Sequence, residues 1–334
     1  MEKNTYDRLS DRGKLRRIHA LAYNTVKVAF GLHGADVSLY CFATNPLYSV
    51  RTREGNRLIL RMGYPGWRTL QDLQSEALWL SALNRDTDIG APVPIRAVDG
   101  RYVVPATGQG VPYTWNATLM SWLDGRLLEY YLTPSNLRKF GTLFARLHVH
   151  GGEWKPPSGF SDRLFDSYLS RGEPELLFSR KVLNAMARDR RNTLLWARER
   201  VAEEYASLDR RDLRAIHCDL WHENVKVRHG KLYPFDFEDT VRGFRLHDLA
   251  MGLLDLLETV GNDRYADLLP FFRKGYEEVL PWPSGCLEVL QIGRMLWMSN
   301  WYARFHGSGL DNNLDGTVAA IEDFRKTGRL RPVS

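Results

Sequence analysis

Three side chains in one short stretch have the types and spacing to act on a phosphate group: Asp219, Asn224 and Asp236. The stretch runs from Ala215 to Asp239 and reads A-I-H-C-D-L-W-H-E-N-V-K-V-R-H-G-K-L-Y-P-F-D-F-E-D. Phosphoryl transfer requires a positioned acceptor hydroxyl and magnesium that neutralises the charge of the nucleotide phosphates. Asp219 would orient the hydroxyl and accept its proton, and oxygens of Asn224 and Asp236 would bind Mg²⁺. These residues predict chemistry that uses ATP and Mg²⁺, with Asp219 as the catalytic residue.

The spacing within the stretch follows the catalytic-loop pattern H-x-D-L-x-x-x-N of kinases at every fixed position. His217 opens the pattern, Asp219 and Leu220 follow it, and Asn224 closes it. Asp236-Phe237 then stands where a D-F-G segment would. This match is the strongest functional signal in the sequence.

A hairpin is predicted between the two metal ligands. Residues 225–228 and 232–235 are short apolar segments on either side of a His-Gly-Lys turn, which is typical of two paired strands. We expect the hairpin to bring Asn224 and Asp236 to one edge.

Chance and a hydrolytic metal site are the two alternatives to a kinase-type loop. A match of this kind can arise by chance in an average composition, and histidine and aspartate are also common ligands of hydrolytic metal ions. Such a metal cluster would comprise His217, Asp219, His222, Asp236 and His247. The kinase-type loop is preferred because it also accounts for Asn224 and the hairpin.

The stretch resembles the aminoglycoside phosphotransferase and choline kinase family, whose members phosphorylate hydroxyl groups of small molecules. Residues 245–250, R-L-H-D-L-A, are similar to the closing signature of that family. The resemblance implies that Asp248, with His217, supports the catalytic loop. Two residues depart from the usual pattern, since Cys218 stands where glycine is frequent and Trp221 where histidine is frequent. The floor beside the acceptor site is therefore unusual.

The resemblance implies an α+β protein with a bilobal protein-kinase-like fold, in which a small antiparallel β-sheet lobe precedes a larger, mainly helical lobe. We expect residues 1–123 to form the nucleotide-binding lobe with an N-terminal helix, and residues 124–334 to form the catalytic and substrate-binding lobe. Hydrophobic periodicity and turn residues predict the individual elements. In the first lobe these are a helix over 10–33, strands at 36–44, 47–52 and 57–62, a helix over 70–83, a long connection at 84–112 with one strand near 102–104, and a further strand at 113–122. In the second lobe these are helical segments at 134–150, 161–208, 249–260, 268–279 and 294–306.

The small lobe lacks the usual lysine for the nucleotide phosphates. No lysine lies between Lys27 and Lys139, and Arg61 at the end of L-I-L-R-M stands in the expected place. Arginine keeps the charge and binds phosphate oxygens in a two-pronged manner. Glu76 in the following helix is the predicted partner. The connection at 43–46, which would lie over the phosphates, carries no G-x-G-x-x-G pattern.

The apolar run T-L-M-S-W-L resembles the strand that joins the two lobes in this family. It leads into Leu123-Asp124-Gly125, where the lobes would meet. The resemblance implies that adenine bonds to backbone groups near Met120 and Trp122, although core packing would equally explain a methionine at this position.

Composition narrows the class of protein. The chain has 334 residues, of which 44% are hydrophobic, so it can bury one large core or two modest ones. Its three cysteines are far apart and indicate neither a disulfide framework nor a zinc site. We expect a cytoplasmic protein without a signal peptide or membrane span. The net charge of +6 is dispersed, which argues against nucleic acid as a partner. The oligomeric state is unknown.

The acceptor is predicted to be a small molecule, such as an amino alcohol, an aminoglycoside or a related metabolite. Eleven residues separate Asp236 from Asp248, which leaves no room for the activation segment with which protein kinases order a peptide. Aromatic residues at helical spacing, Trp297, Trp301, Tyr302 and Phe305, would either pack in the core or in part line the acceptor site. The same lobe would present Glu238 and Asp239 near the chemistry. Aromatic faces and carboxylates would favour a cationic alcohol. A bacterial Ser/Thr protein kinase and a nucleotide-binding pseudokinase are the alternatives.

Overall fold

The chain divides into two compact units. The structure is a computed structural model and describes residues 3–42, 44–161, 163–169, 172–305 and 309–331. The first unit comprises Met1–Asp124, Lys155–Ser161 and Tyr233–Glu238. The second comprises Gly125–Trp154, Asp162–Leu232 and Asp239–Ser334.

An antiparallel sheet forms the centre of the first unit. Its strands within the described ranges are β1 Asp36–Phe42, β2 Pro46–Arg51, β3 Arg57–Gly63, β4 Pro94–Ile95, β5 Val103–Gly108 and β6 Val111–Ser121. They lie in the order β1-β2-β3-β6-β4, and β5 also pairs with β6. Side chains alternate along β2, where Tyr48 and Val50 are fully buried. This alternation places one face of the sheet on the core.

Three helices accompany the sheet: α1 Lys3–Asp7, α2 Asp11–Val28 and α3 Leu70–Asp86. The apolar face of α2 joins the core that contains Tyr48 and Trp115. Helix α3 begins with a capping box, in which Thr69 accepts from the backbone N–H of Asp72 and the Asp72 carboxylate accepts from that of Thr69. This cap fixes the start of the helix that carries Glu76.

Helices form most of the second unit. In the described ranges they are α4 Pro134–Glu153, α5 Arg180–Ala185, α6 Arg188–Ser207, α7 Arg245–Val260, α8 Asn262–Glu277, α9 Leu287–Phe305 and α10 Leu310–Thr327. Helices α6, α7, α9 and α10 contribute to one core. Helices α4 and α8 approach so closely that Gly141 and Gly275 face the backbone of the other helix. A side chain at either position would collide with a carbonyl group.

Short strands hold the catalytic loop at both ends. They are β7 Arg126–Leu127, β8 Leu164–Phe165, β9 Arg214–Ile216, β10 Val225–Arg228, β11 Lys231–Pro234 and β12 Val241–Gly243. One sheet has the order β11-β10-β7 and the other the order β8-β12-β9. The catalytic loop starts at the end of β9 and finishes at the start of β10, so paired strands anchor it at both ends.

The predicted α+β class, with a small antiparallel sheet and a mainly helical part, is confirmed. The prediction of continuous helix over 161–208 is wrong, because β8 and irregular backbone precede α5. The described residues of this segment are helical only from Arg180. Helix α2, predicted over 10–33, ends at Val28, and Gly31 beyond it has a φ of 68°. Helix α10 was not predicted. None of the described helices combines the length and hydrophobicity that crossing a bilayer requires.

Candidate active site

Strand β3 and helix α3 bring Arg61 and Glu76 together in the first unit. Arg61 is 3% exposed. Its Nη1 donates to Glu76 Oε1 at 3.1 Å, and its Nη2 forms a second bond to the same carboxylate. Burial alone would lower the pKa of Arg61, but the charges of Glu76 and Glu238 raise it on balance. The guanidinium is therefore charged and held in a fixed orientation.

Asp236 lies beside the same guanidinium. Arg61 Nη1 is 3.4 Å from Asp236 Oδ1. The backbone of Asp236 has a φ of 64°, a left-handed conformation that is uncommon outside glycine. The next residue, Phe237, is fully buried and packs edge-on against Trp79 of α3, with ring centroids 5.4 Å apart. This anchor holds the strained backbone in place and leaves the Asp236 side chain 43% exposed.

Glu238 does not have the position predicted for it. It was expected on the helical lobe near the chemistry, but it lies in the first unit and is 8% exposed. Its carboxylate accepts bonds from Asn45 at 2.8 Å and Trp67 at 2.9 Å. The prediction failed because no feature of the sequence near Glu238 indicates its buried partners.

The strand predicted to contact adenine is β6. Met120 pairs with Ile59 of β3 and Pro94 of β4 and is 9% exposed, so its side chain is part of the core. The backbone N–H of Trp122 donates to the carbonyl of Arg57 at 3.2 Å. That N–H is therefore engaged by β3 and is not available to adenine in this conformation.

Asp219 of the catalytic loop, in the second unit, is contacted from two sides. Asn224 Nδ2 donates to the backbone carbonyl of Asp219 at 2.9 Å and to its Oδ2 at 3.2 Å. Arg294 of α9 places Nη2 3.6 Å from Asp219 Oδ1. Since the Asn224 amide nitrogen is used in this way, its oxygen is the atom that can bind a metal ion.

Asp248 of α7 binds the backbone of the catalytic loop. Its Oδ1 accepts from the backbone N–H of Cys218 at 2.6 Å, and its Oδ2 is 3.0 Å from His148 Nε2. Burial lowers the pKa of His148, so this ring is neutral near pH 7. Cys218 has a φ of 67°, which explains why glycine is common at this place. The role of Asp248 as a support of the catalytic loop stays a prediction.

The histidines near the loop have separate partners. His217 is fully buried, and its Nδ1 accepts from the backbone N–H of Asp219 at 3.3 Å. His247 contacts the Tyr205 hydroxyl at 2.6 Å, whereas His222 contacts that of Thr259 at 3.2 Å. In the part of the chain that the structure describes, no three His, Cys, Asp or Glu residues form a metal cluster. The hydrolase alternative therefore has no structural support.

A cavity of about 370 Å³ lies among α7, α9 and α10 in the second unit. Its charged lining residues are Asp255, Glu258 and Arg294, and Arg294 is the residue that also faces Asp219. Burial raises the pKa of Asp255 to about 7, with the charges of Asp219 and Glu258 acting in the same direction and Arg294 against them. Met295, Met298 and Tyr302 supply apolar and aromatic surface.

One of the four aromatic residues considered for the acceptor site borders this cavity. That residue is Tyr302, whereas Trp297 packs against the core and donates to Glu173 at 3.1 Å. Phe305 is 53% exposed. The last residue of the predicted helix, His306, lies outside the described residues. Asp255, Glu258 and Arg294 were missed, because they belong to no motif and only the packing of three helices brings them together.

The predicted site residues thus form two groups. Those in the first unit are Arg61, Glu76, Met120, Trp122 and Asp236. Those in the second are His217, Asp219, Asn224 and Asp248.

Comparison with solved structures identifies the fold. The chain is similar to the amicoumacin kinase hAmiN, solved with AMP-PNP, Ca²⁺ and Ami, at a TM-score of 0.75 and 17% identity, covering 98% of this chain and 97% of that chain. It is similar to a microcompartment-associated aminopropanol kinase at 0.74 and 20% identity, covering 93% and 99%. A choline/ethanolamine kinase family protein from Mesorhizobium loti gives 0.60 and 15% identity, covering 94% and 95%. The protein-kinase-like fold of small-molecule kinases is thereby confirmed.

Comparison at the level of sequence gives the family. No curated protein sequence matches the chain significantly. The sequence model of the phosphotransferase enzyme family matches residues 43–282, which include Arg61, the catalytic loop and Asp248. Because this match covers well over half of the chain, the protein belongs to the phosphotransferase enzyme family.

Proposed function

We propose that this phosphotransferase moves the γ-phosphate of ATP, bound with Mg²⁺, to the hydroxyl group of a small, positively charged molecule. The activity class, an ATP-dependent kinase with an alcohol group as acceptor, is that of the family. The residues assigned to each step and the charge of the acceptor are our inference.

One observation carries the proposal: Arg294 lines the acid-rich cavity and also pairs with Asp219. Arg294 thus connects Asp219, the group proposed to accept the hydroxyl proton, to the cavity. The cavity has a volume of about 370 Å³, in the range of sites that bind small ligands. The carboxyl groups of Asp219, Asp255 and Glu258 are three acidic groups near one guanidinium, that of Arg294. A cationic acceptor would restore the charge balance, and Tyr302 would offer its ring to the cation.

The proposed metal ligands suit Mg²⁺. Mg²⁺ binds hard oxygens and usually keeps several waters, so that one or two protein ligands and the substrate phosphates complete its shell. The carboxylate of Asp236 and the amide oxygen of Asn224 are such ligands. Bound in this way, Mg²⁺ would neutralise phosphate charge during the transfer.

Arg61 would bind the nucleotide phosphates while Glu76 holds it. The pair to Glu76 occupies both terminal nitrogens. This pair uses one of the two N–H groups on each of these nitrogens. The guanidinium therefore has donor capacity left for a phosphate oxygen.

The acceptor class is tested with labelled ATP. Purified protein is offered generic protein substrates and, separately, a panel of amino alcohols, aminoglycosides, homoserine and neutral sugars. We expect label on cationic alcohols. Label on proteins alone would favour the protein kinase alternative, and label on neutral sugars alone would contradict the acceptor charge.

The cavity is tested with the double variant D255N/E258Q. We expect the KM of the cationic acceptor to rise about tenfold or more, because two carboxylates that face the cation are neutralised, while the KM of ATP is unchanged. The control is E277Q, which removes an exposed carboxylate of α8 that pairs with Arg273. An unchanged acceptor KM in the double variant would show that the acceptor binds elsewhere.

A further inference from the structure

Glu238 has a hydrogen-bond donor on each carboxylate oxygen. Trp67 Nε1 donates to Oε1 at 2.9 Å, and Asn45 Nδ2 donates to Oε2 at 2.8 Å. The residue is 8% exposed. Each oxygen therefore has one lone pair engaged by a neutral donor, and the two bonds together fix the orientation of the carboxylate.

The two donors come from two different connections of the sheet. Asn45 directly precedes β2, and its Oδ1 accepts from the backbone N–H of Tyr64 at 2.9 Å. Trp67 lies between β3 and α3. Through Glu238, the segment that contains Asp236 is therefore tied both to the connection predicted to lie over the nucleotide phosphates and to the start of α3.

Glu238 also contributes to the environment of Arg61. Its Oε2 is 3.5 Å from Arg61 Nη1, and Asp236 Oδ1 is 3.4 Å from the same nitrogen. Three carboxylates, those of Glu76, Asp236 and Glu238, thus surround one guanidinium. If Asp236 turns towards a metal ion, Arg61 keeps Glu76 and Glu238 as partners, so it remains in place and charged.

We propose that Glu238 is a positioning residue that fixes Arg61 and the Asn45 connection for nucleotide binding and leaves Asp236 as the carboxylate that binds the metal ion. This inference rests on the proposed function. It explains how an arginine serves where a lysine is usual: a guanidinium has five donors, of which the Glu76 pair uses two, and a second buried carboxylate nearby adds to the negative charge that holds it. Glu238 is the additional carboxylate.

The first test compares E238Q with D236N. Glutamine keeps the shape of Glu238 but loses the charge and one acceptor oxygen. We expect E238Q to weaken binding of AMP-PNP about ten- to hundredfold by calorimetry, both with Mg²⁺ and in EDTA, the scale of a lost charged hydrogen bond. The Mg²⁺ concentration for half-maximal turnover should stay unchanged in E238Q and rise in D236N. The control E54Q, at an exposed turn, should behave as wild type.

Three results would overturn the inference. A raised Mg²⁺ requirement in E238Q would make Glu238 a metal ligand. A lowered melting temperature with unchanged AMP-PNP affinity would make it merely structural. A wild-type chain that binds no nucleotide would overturn the proposed function as well, whereas a wild-type chain that binds AMP-PNP but phosphorylates no acceptor would contradict the proposed function alone.

A double-mutant cycle tests the route through Asn45 and does not depend on E238Q alone. N45A removes the donor to Glu238 from the other side. If the bond between them positions the connection, N45A alone should weaken AMP-PNP, and N45A/E238Q should weaken it little more than the worse single variant. Additive losses would show that the two residues act independently and would contradict the inference.

Discussion

The Asp219 side chain contacts Asn224 and Arg294. Substitution by asparagine keeps the size of the side chain and leaves both neighbours in the protein. We predict that D219N keeps ATP affinity nearly intact and lowers turnover roughly a hundredfold or more, the usual effect of losing a positioned base. Steady-state kinetics with separate determination of the ATP dissociation constant checks this. The matched control is D263N at an exposed position of α8. Retained turnover in D219N would exclude Asp219 as the base.

Asp255 should make acceptor binding depend on pH. Burial raises its pKa from 3.8 to about 7, with the charges of Asp219, Glu258 and Glu223 adding to the shift and Arg294 opposing it. As pH falls through 7 the carboxylate gains a proton and loses its attraction for a cation. We therefore predict that the KM of a cationic acceptor rises about tenfold between pH 8 and pH 6, as titration of one group requires. D255N should remove most of this dependence. A KM profile that is equally steep in D255N would assign the pH dependence to another group.

The same pKa acts in the opposite direction on stability. Above pH 4 an unfolded chain releases the Asp255 proton, whereas the folded chain keeps it until about pH 7. The free energy of unfolding contributed by this group therefore falls as pH rises from 4 to 7.

Asp219, Asn224 and Asp236 could be named from the sequence, because the chemistry proposed for them requires fixed spacings within one stretch. Their roles stay predictions, whereas the family is established. Arg294 and Asp255 could not be predicted, since their roles arise from the packing of helices distant in sequence. The buried position of Glu238 was missed for the same reason: its partners Asn45 and Trp67 precede it by 193 and 171 residues.

At the scale of elements, the contact between α4 and α8 depends on two glycines. A Cβ at Gly141 would lie 1.9 Å from the carbonyl oxygen of Phe272, and one at Gly275 would lie 1.8 Å from that of Arg138. Backbone atoms cannot yield as a flexible side chain can. We predict that G141A lowers the free energy of unfolding by about 1–3 kcal/mol or more, as overpacking of a close contact does. Urea denaturation measures the change.

Gly316 in α10 provides the comparison. No atom lies within 4 Å of a Cβ built at this position, and the residue is helical. G316A should raise the free energy of unfolding by about 0.5–1 kcal/mol, because alanine loses less backbone entropy in a helix. If both variants raise the free energy of unfolding, helix propensity and not close packing governs the effect of substitution at Gly141.

Elements with a clear periodicity were predicted well, and those fixed by tertiary contacts were not. Strand β2 alternates buried and partly exposed residues and β3 carries a short apolar run, and the prediction placed both within a residue or two. Residues 166–169 and 172–179, in contrast, are charged enough to suggest a helix but have irregular backbone. There Asn300 of α9 accepts from the backbone N–H groups of Leu176 and Leu177 at 2.7 and 2.9 Å. A distant side chain thus satisfies backbone groups that a helix would have paired locally.

At the scale of the whole molecule, the two units share one chain that passes between them five times, after residues 124, 154, 161, 232 and 238. The first unit obtains Phe237 and Glu238 from the last of its three segments. A fragment of residues 1–124 lacks this segment, so Arg61 would lose two carboxylates and Trp79 its ring contact. We predict that this fragment shows no cooperative unfolding transition by circular dichroism.

Adding the missing segments is the control. Fusing residues 155–161 and 233–238 to the fragment through glycine-serine linkers should restore a measurable transition, because the partners of Arg61 and Trp79 return. A bare fragment that unfolds cooperatively at the urea midpoint of the full chain would show that the late segments add nothing to the stability of this unit.

The order of synthesis on the ribosome gives this arrangement a temporal consequence. Arg61 and Asp236 are 175 residues apart. At a translation rate of roughly 5–20 residues per second, Arg61 is made about 10–35 s before its later carboxylate partners. During that interval Glu76 is the one carboxylate of the trio already made, and Trp79 has no Phe237 to cover it. Synonymous codons that slow translation between positions 77 and 236 should therefore lengthen the exposure of this incomplete unit and lower the yield of folded enzyme.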